Sequence, residues 1–307
     1  VIVADKGAGQ LVMLTDADHD GVAEDSKVVD RNLRNVHSVV EYKNDLYVGE
    51  ETRVDRYEGF KVDGTYAKKT VLAQLPGGGG HVTRTVVIGP DGNLYVSIGS
   101  SCNLCEEKDE RRASVMVFDL DGQHGRVLAR GLRNSVGLAF RGNDLWSVDN
   151  GRDLLGDYLP PEEVNIVRDG KHYGWPYCYG DRQTNPEYPT KIDFCHNDTE
   201  APTFLMQAHS APLGMAFAPD TTLPGLAGKL LISFHGSWNR TVKTGYKVVW
   251  VDPAVPGTAT TNLISGWLDD SGKVWGRPVG IDFGPDGTLY VADDQAGAIY
   301  RLTASSS

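Results

Sequence analysis

Residues Arg84–Gly99 read RTVVIGPDGNLYVSIG, and this stretch decides the fold. The β-branched run Thr85–Ile88 favours an extended backbone. Pro90-Asp91-Gly92 supplies a fixed φ, a side chain that caps its own turn, and a residue free to take positive φ. Leu94–Ile98 then starts a second strand. The same grammar returns as HSVVEYKNDLYVGEE from His37, NSVGLAFRGNDLWSVDN from Asn134 and PVGIDFGPDGTLYVADD from Pro278. A looser copy joins PLGMAFAPD from Pro212 to GKLLISFHG from Gly228, and VIVAD at Val1 reads as the second strand of one more. The anchors Val1, Leu46, Leu94, Leu145, Leu230 and Leu289 recur at about the length of a four-stranded blade, with an insertion before Leu230. Short strands at this period without helical periodicity predict an all-β, six-bladed β-propeller in one domain over 1–307. Its first blade lacks an opening strand, so the expectation is either that a few tens of residues have been lost from the start or that the closing blade is completed in an unusual way. A β-sandwich of similar hairpins leaves the repeat unexplained.

Composition narrows the function. The 307 residues are 40% hydrophobic with 36 Gly and 15 Pro, a globular and turn-rich chain. A net charge of −11 and the lack of a basic stripe argue against nucleic acid. No apolar run approaches the roughly 20 residues that span a bilayer. VIVADKGAGQ, at the start, lacks the basic and apolar regions of a secretory leader. Four cysteines fall as Cys102-Asn-Leu-Cys105 and as Cys178 with Cys195. The second pair lacks the short spacing of a four-thiolate zinc ribbon, so two local disulfides in an oxidising compartment, periplasmic or secreted, are expected.

PGGGGHVTR, Pro76–Arg84, resembles a phosphate cradle only in its glycines. Such a cradle needs a following helix and a Lys-Ser or Lys-Thr pair, whereas a β-branched run follows here. His81 is then what the run presents. In a propeller, loops of all blades meet at one end of a channel, so polar residues flanking each repeat form one candidate site. These are His37, His81, Arg84, Arg133 with Asn134, Gly151 with Arg152, His209, His235, Arg240 and Arg277. Several Arg and His side chains around one channel suit an anionic ligand, because guanidinium forks bind carboxylates.

TDADHDGVAED places Asp16, Asp18 and Asp20 at alternate positions, with Gly21 for the turn and Glu24 beyond. Hard oxygen ligands at this spacing suit a structural Ca²⁺; Lys27 at the twelfth position departs from an EF-hand. Residues 149–180, DNGRDLLGDYLPPEEVNIVRDGKHYGWPYCYG, read as one long connection. There Gly151 is expected to turn backbone carbonyls toward a cation, and Glu162, Glu163 and Asn165 to tie the loop down. Tyr173, Trp175 and Tyr177 form either a sugar-stacking wall or packing beneath the loop.

With GGGGHVTRTVVIGPDG, GSSCNLCEE, GLRNSVGLAF, NGRDLLGDYLPPEEVN, HYGWPYCYG, HSAPLGMAF, FHGSWNR, GYKVV and GRPVGIDFGPDG in this order, nearly the whole chain resembles the soluble quinoprotein sugar dehydrogenases of the glucose and sorbosone type. The sorbosone branch is the closer match. The resemblance implies a six-bladed propeller using pyrroloquinoline quinone (PQQ) and Ca²⁺, a small sugar substrate and a soluble electron acceptor. It implies that His81 is the general base and that Arg133 steadies charge on the reacting quinone oxygen. The carbonyls of Gly151 and Arg152 are the implied Ca²⁺ ligands. His37, Arg84, Asn134, His209, His235, Arg240 and Arg277 are the candidates for holding the cofactor. Three positions depart from the glucose enzymes: Ser100 replaces the acid that orients the base, FHGSWNR lacks their lysine, leaving His235 or Arg240 to substitute, and Trp275 replaces an arginine. Two other readings are a propeller lactonase, which wants more carboxylate and Asn ligands, and a propeller that only binds.

Overall fold

The computed structural model describes residues 1–18, 20–255 and 257–303. Six antiparallel sheets of three or four strands are the blades of a β-propeller, with one further two-stranded sheet, and the described residues fall in two compact units, Val1–Ala129 and the part from Arg130 onward. In the first unit, β1 (Ile2–Asp5), β2 (Gln10–Thr15) and β3 (Asp25–Arg31) make a three-stranded sheet. Next come β4 (Ser38–Tyr42), β5 (Asp45–Glu50), β6 (Arg53–Glu58) and β7 (Lys68–Gln74). Then follow β8 (Val86–Ile88), β9 (Leu94–Ile98), β10 (Ser114–Phe118) and β11 (Arg126–Arg130).

In the second unit, β12 (Ser135–Arg141), β13 (Asp144–Asp149) and β14 (Glu162–Val167) are followed by an excursion before the blade closes. That excursion carries β15 (Cys178–Tyr179), β16 (Gln183–Thr184) and the short helix α1 (Ile192–Asn197), and β17 (Phe204–Met206) is the fourth strand. It is the insertion that delays the Leu230 anchor. The fifth blade is β18 (Pro212–Phe217), β19 (Leu230–Phe234), β20 (Lys247–Val251) and β21 (Thr261–Ile264). The sixth has β22 (Pro278–Phe283), β23 (Leu289–Asp293) and β24 (Ala298–Leu302).

The anchor leucines hold the registers. Leu46 faces Glu41, Leu94 faces Ile88, Leu145 faces Phe140, Leu230 faces Phe217 and Leu289 faces Phe283. All five are buried, because period-two alternation in a blade points every second side chain at its neighbour blade. Val1 is the exception at 51% exposed: it precedes β1, which is an edge of its sheet within the first unit. Apolar layers separate neighbouring blades: Leu11, Leu46, Val48 and Tyr57, then Val54, Val86, Leu94 and Val96 in the first unit. Trp146, Val164, Ile232 and Val249, then Leu231, Val248, Leu289 and Val291 do so in the second.

One expectation changes and one holds. Glu162, Glu163 and Asn165 are not loop residues but lie on β14, paired with β13 and β17; the charged pair obscured the apolar alternation of Val164 and Ile166, which pack in one layer. The four cysteines are joined as Cys102–Cys105 and Cys178–Cys195.

Candidate functional site

The glycine run in the first unit is a scaffold for His81. Arg84, fully buried, donates from Nη1 to the carbonyls of His81 (3.1 Å) and Thr83 (2.6 Å) and from Nη2 to that of Pro76 (2.6 Å). Arg112 Nη2 donates to the carbonyls of Gly77 (2.5 Å) and Gly78 (2.9 Å), and the Gly78 N–H donates to Glu51 Oε1. Gly79 has φ +83°, and a Cβ there would stand 2.6 Å from Ser101 Cα, so no other residue fits. Arg84 therefore braces the loop with both Nη nitrogens, while its buried Nε has no hydrogen-bond partner among the described residues. His81 Nδ1 lies 2.9 Å from the Ser100 carbonyl oxygen and 2.8 Å from Ser100 Oγ. His37 is half-buried, and burial, reinforced by Lys6 and Arg84, pushes its imidazole down to about 4. At neutral pH it is an uncharged hydrogen-bonding group.

A device missed in the sequence repeats at the blade ends. The acid four residues after an anchor leucine accepts the N–H of an arginine ahead of the inner strand. Arg34 donates to Glu50 Oε2 (2.6 Å), Arg133 to Asp149 Oδ2 (2.9 Å) and Arg277 to Asp293 Oδ1 (2.8 Å). The recurrence of an acid at this offset from Leu46, Leu145 and Leu289 was the available signal. Asp149 also accepts the Asn134 N–H (2.7 Å) and the Ser135 hydroxyl (3.2 Å). Arg133, 4% exposed, donates from Nη1 to the Asn150 carbonyl (3.1 Å) and has Nη2 3.6 Å from Asp153 Oδ2.

Arg133, Asp149, Gly151, Arg152, Glu163 and Asn185 line one recess in the second unit. The Gly151 N–H donates to Glu162 Oε2 (2.7 Å), and the Ala211 N–H to its Oε1 (3.2 Å). Gly151 is needed for space rather than for positive φ, since a Cβ would meet Pro160 Cγ at 2.7 Å. Arg152 spends Nη1 on Asn185 Oδ1 (3.2 Å) and Glu187 Oε2 (2.6 Å). Glu163 accepts from the Gly180 N–H (2.8 Å) and from Asn165 Nδ2 (3.2 Å). Burial pushes Asp149 up to about 6, Glu162 to about 7 and Glu163 to about 8, the last also through the Asp149 charge. Burial lowers the Arg133 guanidinium, opposed by Asp153 and Asp149.

The other expected residues of this unit fall into three groups. Arg277 donates from Nε to the His235 carbonyl (3.0 Å) and from Nη2 to that of Gly236 (2.6 Å), and His235 Nε2 meets both Asp294 oxygens at 3.0 and 3.1 Å. His209 is buried with Nε2 2.7 Å from the Gly156 carbonyl, so that nitrogen carries a proton. The Arg240 guanidinium lies 5.1 Å over the Tyr158 ring, while its buried Nε and Nη1 have no hydrogen-bond partner among the described residues. The aromatic cluster is well packed, and Tyr173 and Trp175 also line the recess. Tyr173 and Trp175 are buried, the Tyr173 hydroxyl donates to the Ile166 carbonyl, and Tyr177 meets Tyr188 and Phe194 edge-on. Trp275 donates from Nε1 to the Gly266 carbonyl (2.7 Å).

In the first unit, Asp16, Asp18, Asp20 and Glu24 each bring an oxygen within 4.8 Å of the others. Backbone N–H groups of Gly21, Asp20, Val22 and Ala17 bond these carboxylates and hold them together. That donor set fits a hard dication such as Ca²⁺. The unsatisfied Arg240 nitrogens fit an acid-bearing ligand, since a buried donor left unmade costs about 1–3 kcal/mol that an anionic oxygen recovers.

Among known proteins, an uncharacterized protein of Borreliella burgdorferi is 32% identical over 269 residues, covering 84% of this chain and 70% of that one. A protein of Coprinopsis cinerea named pyrroloquinoline quinone-dependent pyranose dehydrogenase is 30% identical over 294 residues, covering 74% of this chain; the chain spans 40% of that enzyme's length. The holo form of the PQQ domain of pyranose dehydrogenase from the same fungus superimposes with a TM-score of 0.84 at 25% identity, covering 99% of this chain and 92% of the domain. The family profile described as TrAA12-like matches residues 1–305, and the chain belongs to that family.

Proposed function

We propose that this chain is a quinoprotein oxidoreductase, one that binds PQQ and Ca²⁺ and oxidises a hydroxyl or hydrated aldehyde of a sugar. The observation that carries the reading is its likeness, over 99% of its length, to a domain whose holo form is a PQQ domain of a pyranose dehydrogenase. The quinone supplies a hydride acceptor when bound, made more electrophilic by Ca²⁺. Arg240 meets its acidic groups with the nitrogens that are otherwise unsatisfied, and His235, His209, Arg277 and the neutral His37 add donors. The carbonyls of Gly151 and Arg152 hold Ca²⁺, with Glu162 fixing the Gly151 peptide. Arg133, anchored through its backbone by Asp149, steadies charge developing on oxygen in the transition state, and Asn134 lies beside it. His81 takes the proton of the substrate hydroxyl, a role worth roughly 10²–10⁴-fold in rate. The Asp16, Asp18, Asp20 and Glu24 loop holds a second, structural Ca²⁺. Two disulfides support a periplasmic or secreted location, and no described helix is long and apolar enough to cross a membrane.

The test is to incubate the protein with PQQ and Ca²⁺, measure quinone binding by absorbance, and follow reduction of an artificial dye with pyranoses, other aldoses and sorbosone. Sugar-dependent dye reduction that needs both additions is expected. Failure to bind the quinone at micromolar protein ends the proposal.

A further inference from the structure

In the first unit the His81 Nδ1 nitrogen meets Ser100, whose backbone carbonyl and side-chain hydroxyl both face it. The Ser100 carbonyl, 2.9 Å away, can only accept. Ser100 Oγ, 2.8 Å from Nδ1, directs its own hydrogen to the Cys102 carbonyl at 2.8 Å, so it too presents a lone pair. Two acceptors converging on one ring nitrogen require that this nitrogen carry the proton.

From this geometry we infer that Ser100 is the positioning residue of His81: it fixes the neutral ring as the Nδ1–H tautomer and leaves the basic lone pair on Nε2. The inference rests on the reading of His81 as the base, but the tautomer itself does not. Ser100 is well placed for this task. It is fully buried, and its neighbour Ser101 is tied by N–H and Oγ to Glu107 (2.5 and 2.8 Å) and by its carbonyl to the Gly80 N–H (2.7 Å). The Cys102 carbonyl that receives the Ser100 hydrogen belongs to the four-residue ring closed by the Cys102–Cys105 disulfide. The serine thus aligns the ring as an acid would, without placing a negative charge against it.

Two measurements test this. Nitrogen-15 spectra of the histidine-labelled chain, with the His81 signals identified by their loss in His81→Gln, are expected to show a protonated Nδ1 and an unprotonated Nε2 in the neutral ring. A protonated Nε2 overturns the inference. In the enzyme reconstituted with quinone and Ca²⁺, Ser100→Ala is expected to lower kcat roughly five- to tenfold, the worth of one ordinary hydrogen bond, with KM for sugar nearly unchanged. Ser100→Thr, which keeps the hydroxyl, restores most of it. Parental kcat in Ser100→Ala overturns the positioning role. If Ser100→Ala does not fold, the spectrum of the parent chain decides alone. A His81→Gln variant that keeps its kcat removes the base reading and leaves the tautomer standing, so the two failures are distinct.

Discussion

Glu163→Gln is expected to stabilise the metal-free protein at pH 8 and to leave it unchanged at pH 5. Glu163 is 9% exposed, and burial lifts its carboxyl from 4.5 to about 8. An acid whose folded pKa is raised binds its proton more tightly in the native chain than in the unfolded one. The stability this confers is complete below pH 4.5 and is lost as pH climbs toward 8. At about 1.4 kcal/mol per unit the whole shift is worth about 4–5 kcal/mol. Part of it comes from the Asp149 and Glu162 charges, which take up protons over the same range, so we assign about 2 kcal/mol to Glu163 itself.

The amide is well suited to the site. Its oxygen keeps the Gly180 N–H, and its NH₂ can serve Asn165 Oδ1, a buried acceptor with no partner among the described residues, once the Asn165 amide turns over. Denaturant unfolding in chelator at pH 5 and pH 8 measures the difference. The parent should lose stability between the two values, and the variant should lose about 2 kcal/mol less. If Glu163→Gln costs stability equally at both pH values, Glu163 is held as a charged hydrogen-bond acceptor and the reasoning fails.

Arg240→Leu is expected to weaken quinone binding at least tenfold by absorbance titration while leaving unfolding stability unchanged or higher, because its Nε and Nη1 bond nothing described. Replacing Cys178 and Cys195 together by Ala should cost about 3 kcal/mol, the loop-closure entropy of a 17-residue separation, in denaturant titration. Gly151→Ala drives a Cβ to within 2.7 Å of Pro160, and overpacking of this kind costs about 1–3 kcal/mol; Ca²⁺-dependent dye reduction should fall with it.

How much of this was legible follows from how far each signal travels along the chain. Blades were readable because their information is local and repeated: Leu94 is buried for the same reason as Leu145 and Leu289, each heading a strand whose alternate side chains enter the next layer. β14 was hidden because it opens on two consecutive acids, Glu162 and Glu163, whose carboxylates are spent on the N–H groups of Gly151, Ala211 and Gly180. Those donors lie 11, 49 and 17 residues away, so no window of sequence contains the reason for the acids. Arginines were misjudged in the same way. Arg84, Arg133 and Arg240 look alike beside their strands, yet what a guanidinium is free to bind depends on which carbonyls the backbone has left unpaired nearby. The carbonyls of Pro76, His81 and Thr83 take both Nη nitrogens of Arg84 and leave only its Nε unspent; Arg240 meets an aromatic face instead and keeps both Nε and Nη1 unspent among the described residues. How much of a guanidinium remains for a ligand is therefore a property of the folded backbone: Arg84 has spent both terminal nitrogens on carbonyls, whereas Arg240 keeps a buried terminal one, and residue type shows neither.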